Sequence, residues 1–176
     1  SKKVLGVIIP ASEEAVKKTK NKKIGVLGTE ATVSSHAFKK EIEKLDAEIE
    51  VFELAAPLLV PLVESGEEES ESAKILINQY VSEIISHKID TLILGCTHYN
   101  FFIEEIKKNA PGVEIVSEGP IIGNSLKDYL ARHPEIESRL AKNTEIAFYT
   151  TDSKESFDKH GSRFFGKNIF SGKISL

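Results

Sequence analysis

The sequence predicts an α/β fold, a parallel sheet sandwiched by helices. Strand-like and helix-like patterns alternate along the 176 residues, the signature of a parallel sheet covered by helices. Two apolar runs, at 24–27 and 91–94, read as buried strands. Both end alike: Ile24-Gly25-Val26-Leu27-Gly28-Thr29 and Leu92-Ile93-Leu94-Gly95-Cys96-Thr97 each run from apolar residues through a glycine to a small polar residue and then a helical pattern. In open α/β sheets ligands sit outside the carboxyl ends of the strands, so two such turns on neighbouring parallel strands line one crevice.

The elements follow in order. Residues 4–9 read as an opening buried strand, and 10–20 as a short charged helix with Ser12 as its N-cap. After the 24–27 strand, Phe38, Ile42 and Leu45 mark one apolar helix face. Residues 49–54 alternate with Glu50 and Glu53, which suits a sheet edge or a half-exposed face. Pro57 and Pro61 break the apolar stretch 55–63 into a turn and a short helical segment. The acidic patch 67–72 suits a helix start, and Leu76, Tyr80 and Ile84, flanked by Ile77, Val81 and Ile85, give that helix its apolar face. The 91–94 strand then leads into a helix over 101–108, a Pro111-Gly112 turn, a strand at 113–116, and a helix opened by Glu118 and running through Leu126 and Leu130. Residues 133–143 read as a surface connection and 145–150 as a last strand. Asp152 and Glu155 form a capping box for a final helix, and the tail from Gly166 reads as loosely held.

Composition narrows the function classes. Hydrophobic content of 40% with 28% charged residues suits a soluble globular protein. A net charge of -4, from 23 scattered basic and 27 acidic residues, argues against nucleic-acid binding. No apolar run approaches the roughly 18 residues of a membrane span. The single cysteine cannot form an intrachain disulfide, and a structural zinc site is not expected. The expected compartment is the cytoplasm.

Chemistry concentrates at Cys96. A thiol at a helix N-terminus has its thiolate favoured by the dipole and free N–H groups, so its pKa is expected to fall. The same groups, with the Thr97 and Thr29 hydroxyls, suit a small carboxylate, and His98 can move a proton or orient the thiol. The competing structural readings are an inert packed cysteine, helix capping for Thr32, Ser34 and Ser35, and surface positions for His36, His87, His133, His160 and Glu64.

Gly95-Cys96-Thr97-His98-Tyr99 resembles the second-cysteine signature of glutamate racemases, cofactor-independent enzymes that make D-glutamate for bacterial peptidoglycan. Three further segments resemble that family in order: the one from Gly6 through Ala11, the one from Gly28 through Ser35, and the one from Pro57 through Gly66. The resemblance implies a two-domain α/β protein in which one thiolate removes the substrate α-proton and an opposite thiol returns one. It needs no cofactor and no metal. It casts Cys96, assisted by His98 and Glu64, as one catalytic base, with Thr97, Thr29 and Thr32 holding substrate groups. Glutamate is the implied partner, and the relatives are often homodimers.

Departures accompany the match. Asn100 stands where the family usually has proline, and Ala56 where a cysteine is common. The family's first-cysteine A-C-N-T segment and its D-S-G turn are not found, and the chain starts at Ser1 with no methionine. The expectation is therefore the C-terminal portion of a racemase, holding one half-site and inactive alone. Residues 1–20 would be a remnant of a first α/β domain, 21–117 a nearly complete second domain, and 118–176 a return to the first. Two alternatives stay open: a cysteine-nucleophile hydrolase or amidotransferase, and a non-catalytic amino-acid-binding module. A nucleophile elbow would place a glycine two residues after the cysteine, where His98 stands, which counts against the first.

Overall fold

The computed structural model describes residues 6–142 and 146–175. The chain divides into two compact units, Ser1–Arg132 and His133–Leu176. The first unit holds four parallel strands in the order β2-β1-β3-β4: β1 (Lys23–Gly28), β2 (Glu50–Ala55), β3 (Thr91–Gly95) and β4 (Glu114–Ser117). This is the predicted sandwich. Side chains alternate across the sheet, so Ile24, Val26 and Ile93 enter one core while Leu27, Leu92 and Leu94 enter the other. Helices α1 (Ile8–Lys18) and α3 (Ala37–Leu45) cover the first face, and α4 (Leu59–Ser65), α5 (Glu71–Ile85) and α6 (Ile103–Asn109) cover the second. The edge position expected for the 49–54 strand holds, since β2 pairs only with β1 among the described strands.

Several local expectations are overturned. Val4 and Leu5 lie outside the described residues, but Ile8 and Ile9 open α1 rather than extend a strand. A short apolar run cannot be told from a buried helix segment by periodicity alone, and Pro10 is tolerated because it lies in the first turn. Ser12 is not the cap: it is fully buried between Ala11 and Ala15 against the sheet, and its hydroxyl has no hydrogen-bond partner among the described residues. The helix expected through Phe38 is two, α2 (Glu30–Ser35) and α3, broken at His36, which adopts a left-handed conformation and pairs with Glu53. Phe38 and Ile42 are buried as expected, whereas Leu45 is exposed near the end of α3. The long α5 buries Ala73, Ile77, Val81 and Ile84.

Asp90 fastens the amino end of β3. Its carboxylate accepts hydrogen bonds from the Thr19 and Thr91 hydroxyls (2.7 and 3.0 Å) and from the Lys20 and Asn21 backbone N–H groups (2.7 and 2.8 Å). The loop between α1 and β1 is thereby tied to the sheet at the end away from Cys96.

Helix α7 (Glu118–Arg132) follows β4 without a loop. In the second unit, β5 (Phe148–Thr150) and β6 (Ser171–Lys173) pair in parallel around α9 (Lys154–Phe165), and Glu145 of the expected strand lies outside the described residues. A short helix, α8 (Pro134–Glu137), interrupts the stretch expected to be a plain connection, of which Asn143 is not described. Ser153, not Asp152, caps α9, accepting the Ser156 N–H while its own hydroxyl donates to Glu155. The tail is held, contrary to expectation: Ser171 N–H donates to Asp158, and Ile169 packs on Gly161, where an added Cβ would meet it at 2.4 Å.

Candidate active site

The chain order reverses between β1 and β3. From β1 it moves outward to β2, then crosses to β3 on the other side and continues to β4. Such a reversal leaves a crevice outside the carboxyl ends of the two central strands, where ligands of open α/β sheets bind. Gly28 of β1 lies in register with Gly95 of β3, so Thr29 and Cys96 are the first residues past the same edge. Leu94 pairs with Ser117, which brings Glu118 to that edge as well.

Thr29 and Thr32 form one polar cluster. The Thr29 hydroxyl caps α2 by accepting the Thr32 N–H, the two hydroxyls lie 3.0 Å apart, and the Thr32 hydroxyl donates to the Gly95 carbonyl at 3.4 Å. The approach requires glycine on both strands. A Cβ on Gly28 would stand 3.0 Å from Thr32, and one on Gly95 would stand 2.9 Å from the Phe38 ring and 3.3 Å from Thr32. The capping role weighed for Thr32 thus belongs to Thr29, while Ser35 turns back to donate to the Thr32 carbonyl.

Cys96 is half-buried and extended (φ -148°, ψ 132°), the residue before a 3₁₀ turn (Thr97–Phe102) that precedes α6. An extended cysteine lacks the strained strand-to-helix turn of a nucleophile elbow. Its sulfur lies 3.8 Å from His98 Nδ1, and His98 Nε2 lies 3.6 Å from Glu64 Oε1. The second separation is that of an ion pair rather than a hydrogen bond. The Glu64 carboxylate draws Nε2, which leaves Nδ1 as the ring nitrogen that faces the thiol. Glu64 keeps 57% of its side chain exposed, so this pull is screened. Thr97 is exposed at the start of the turn.

The thiol is not lowered, as a helix N-terminus led us to expect. Burial pushes Cys96 up, the His98 and Tyr99 N–H groups pull it down, and the Glu118 charge adds to the rise. A 3₁₀ turn offers less aligned dipole than an α-helix. Glu118 itself, 6% exposed, is pushed up by burial. It was assigned only a helix start from the sequence. Its signal was position: it follows β4 as Thr29 follows β1 and Cys96 follows β3.

Tyr99 was also missed as a site element. It is fully buried, and its hydroxyl lies 2.9 Å from the Gly28 carbonyl and 2.8 Å from the Ala56 carbonyl, joining the turn after β3 to the ends of β1 and β2. Of the other histidines, His36 is exposed against Glu53 and His87 stacks on Phe52 at 4.3 Å, while His133 of the second unit pairs with Glu135.

The Asp/Glu/Hydantoin racemase family matches residues 1–122. The chain belongs to that family. A glutamate racemase of Sulfurihydrogenibium is 38% identical over 173 residues, covering 98% of this chain and 64% of its own length, so the chain spans less than two thirds of that relative. A glutamate racemase isoform of Bacillus anthracis superposes with a TM-score of 0.89 at 34% identity, covering 100% of this chain and 66% of that one. The Francisella tularensis glutamate racemase, solved in complex with D-glutamate, gives 0.81 at 26% identity over 97% of this chain and 62% of its own. Racemase membership agrees with the crevice: a thiol, an imidazole and hydroxyls at a strand-order reversal. Among the described residues no helix is long and apolar enough to cross a membrane.

Proposed function

We propose that this chain supplies one half of a glutamate racemase site, with Cys96 as the acid–base group for one face of the substrate α-carbon. The observation that carries the reading is that the Cys96 turn and the Thr29–Thr32 hydroxyl pair leave the same edge of the β1–β3 reversal, with Thr32 bonded to the Gly95 carbonyl just before Cys96. Glutamate presents two carboxylates and an ammonium. Thr29, Thr32 and Thr97 offer hydroxyl donors to a carboxylate, and Glu118 offers the opposite charge to the ammonium.

In the proposed step the Cys96 thiolate takes the α-proton, and the C–H electron pair passes into the adjacent carboxylate as an enediolate. A protonated group on the opposite face then returns a proton to carbon, inverting it. His98, held by Glu64, accepts the thiol proton beforehand and so generates the thiolate. The chain has one cysteine, so a two-thiol reaction takes its second thiol from outside these 176 residues. We place the activity in the cytoplasm, feeding peptidoglycan synthesis, and expect a homodimer in sedimentation.

The test compares this chain alone with a longer protein in which this sequence is joined to the remaining part of a glutamate racemase, following the optical activity of D-glutamate. Loss of optical activity is expected from the longer protein, a drop of about 10²-fold or more with Cys96→Ser, and no interconversion by the 176-residue chain. Undiminished racemisation in Cys96→Ser, or racemisation by the short chain, overturns the proposal.

A further inference from the structure

The Cys96 sulfur sits at the head of the 3₁₀ turn, 3.8 Å from His98 Nδ1, and the His98 and Tyr99 N–H groups of that turn favour its charged form. The Tyr99 N–H donates to the Cys96 carbonyl at 3.1 Å, so the His98 N–H is the donor whose aim bears most on the sulfur. That N–H and the Thr97 carbonyl are two ends of one planar peptide unit, and fixing one end fixes the other. Asn100 fixes it. Its side-chain Nδ2 donates to the Thr97 carbonyl at 3.1 Å, and its Oδ1 accepts from the Ser117 hydroxyl at 2.7 Å. Ser117 is the last residue of β4, so the clamp runs from the neighbouring strand through Asn100 to the peptide facing the sulfur.

We propose that Asn100 is a positioning residue: clamped by Ser117, it orients the Thr97–His98 peptide so that the His98 N–H points at the Cys96 sulfur. Proline, usual in the family at this place, restricts the turn through its own ring and cannot make this bond. The charged and titratable groups around the sulfur are His98 and Tyr99 from its own turn, Glu118 from α7, and Glu64 from α4 acting through His98. The peptide dipole works against Glu118 and against burial.

The inference rests on Cys96 being the working thiol of the proposed racemase, but its readout does not need turnover. Cys96 is the one cysteine in the chain, so iodoacetamide alkylation followed by mass spectrometry reports on it alone. In Asn100→Ala the pH midpoint of alkylation is expected to rise by about one unit, about tenfold slower reaction at a fixed pH below both midpoints. Ser117→Ala is expected to move it the same way by less, and Ser117→Thr, which keeps the hydroxyl, to restore it. An unchanged or lowered midpoint in a folded Asn100→Ala chain, judged by far-UV circular dichroism, overturns the proposal. Should that variant fail to fold, equal midpoints for Ser117→Ala and Ser117→Thr overturn it instead. A shifted midpoint beside undiminished racemisation by Cys96→Ser in the longer protein would sink the racemase reading and leave the clamp standing.

Discussion

Tyr99→Phe removes one oxygen from the middle of the site's support, and its cost can be worked out from the bonds around it. The phenol lies within reach of two buried carbonyls, but it has one proton, so the loss counts as one shared hydrogen bond. Neither carbonyl is orphaned: Gly28 keeps the Ala56 N–H at 2.8 Å, and Ala56 keeps the Leu59 N–H at 3.2 Å. The expected destabilisation is therefore about 1 kcal/mol at pH 8, against about 3 for a fully abandoned buried polar pair. In a unit of this size that lowers Tm by about 3 °C. The pH dependence adds a second arm. Burial first, then the neighbouring Cys96 and Tyr80 charges, hold the phenol above its ordinary value of about 10. A raised folded-state pKa gives stability that is complete below the unfolded value and lost as pH climbs towards the folded one. The parent should thus lose about 1.4 kcal/mol per pH unit above about 10 from this residue, a loss the variant lacks. Urea unfolding followed by far-UV circular dichroism between pH 8 and 11 measures both arms, and the two stability curves should meet and cross near pH 11. A gap that stays constant through pH 11 refutes the buried, neutral phenol, and a loss of about 3 kcal/mol or more at pH 8 refutes the shared-proton argument.

Glycine to alanine at two places should have opposite outcomes. Gly95→Ala puts a methyl 2.9 Å from the buried Phe38 ring and 3.3 Å from Thr32 and should cost about 1–3 kcal/mol in denaturant unfolding, whereas Gly119→Ala, in α7 with open space around it, should be neutral or stabilising. Glu118→Gln removes a charge that raises the Cys96 thiol, so the alkylation midpoint should fall; an unchanged midpoint would mean that the two groups do not interact. The same change should raise stability at neutral pH, because a burial-raised carboxyl costs stability once pH exceeds its unfolded value. For Asp90, burial pushes the carboxyl up, but the Thr19, Lys20, Asn21 and Thr91 hydrogen bonds outweigh it and hold it below the ordinary range. Its stabilisation is present above about pH 4 and lost as pH falls through the depressed value. Asp90→Ala should cost about 2 kcal/mol at pH 7 and progressively less in acid, with a pH-independent penalty as the contrary result.

Reading the sequence recovered the parallel sandwich because its central strands, Ile24 to Leu27 and Leu92 to Leu94, have little polarity to confuse the pattern. It failed where tertiary context decides. Ile8 and Ile9 are as strand-like as those runs, yet lie in a helix whose Ala11 and Ala15 allow close packing on the sheet. Ser153 displaced Asp152 as cap one residue along the chain, within the usual blur of element ends. At the candidate site, the placement of Cys96, Thr29 and Thr32 beside the ends of β1 and β3 was legible because a glycine closes each strand. Tyr99 and Asn100 were not read as supports, because their value lies in bonds to residues on other strands, which spacing along one strand cannot reveal.

The reversal of strand order also governs when the crevice can come into being. Thr29 and Cys96 are separated by the whole of β2, α4 and α5, and only the β1–β3 ladder brings their ends level. Closing a loop of that length is the slow, entropically costly kind of contact. A partly folded chain with β1, α2 and β2 in place would carry the hydroxyl cluster with no sulfur beside it. The sulfur, meanwhile, would stay open to solvent until the central ladder zipped. Cys96 is therefore a built-in clock for that ladder: pulsed alkylation during refolding reads out, at a single atom, the moment at which the two lips of the crevice meet.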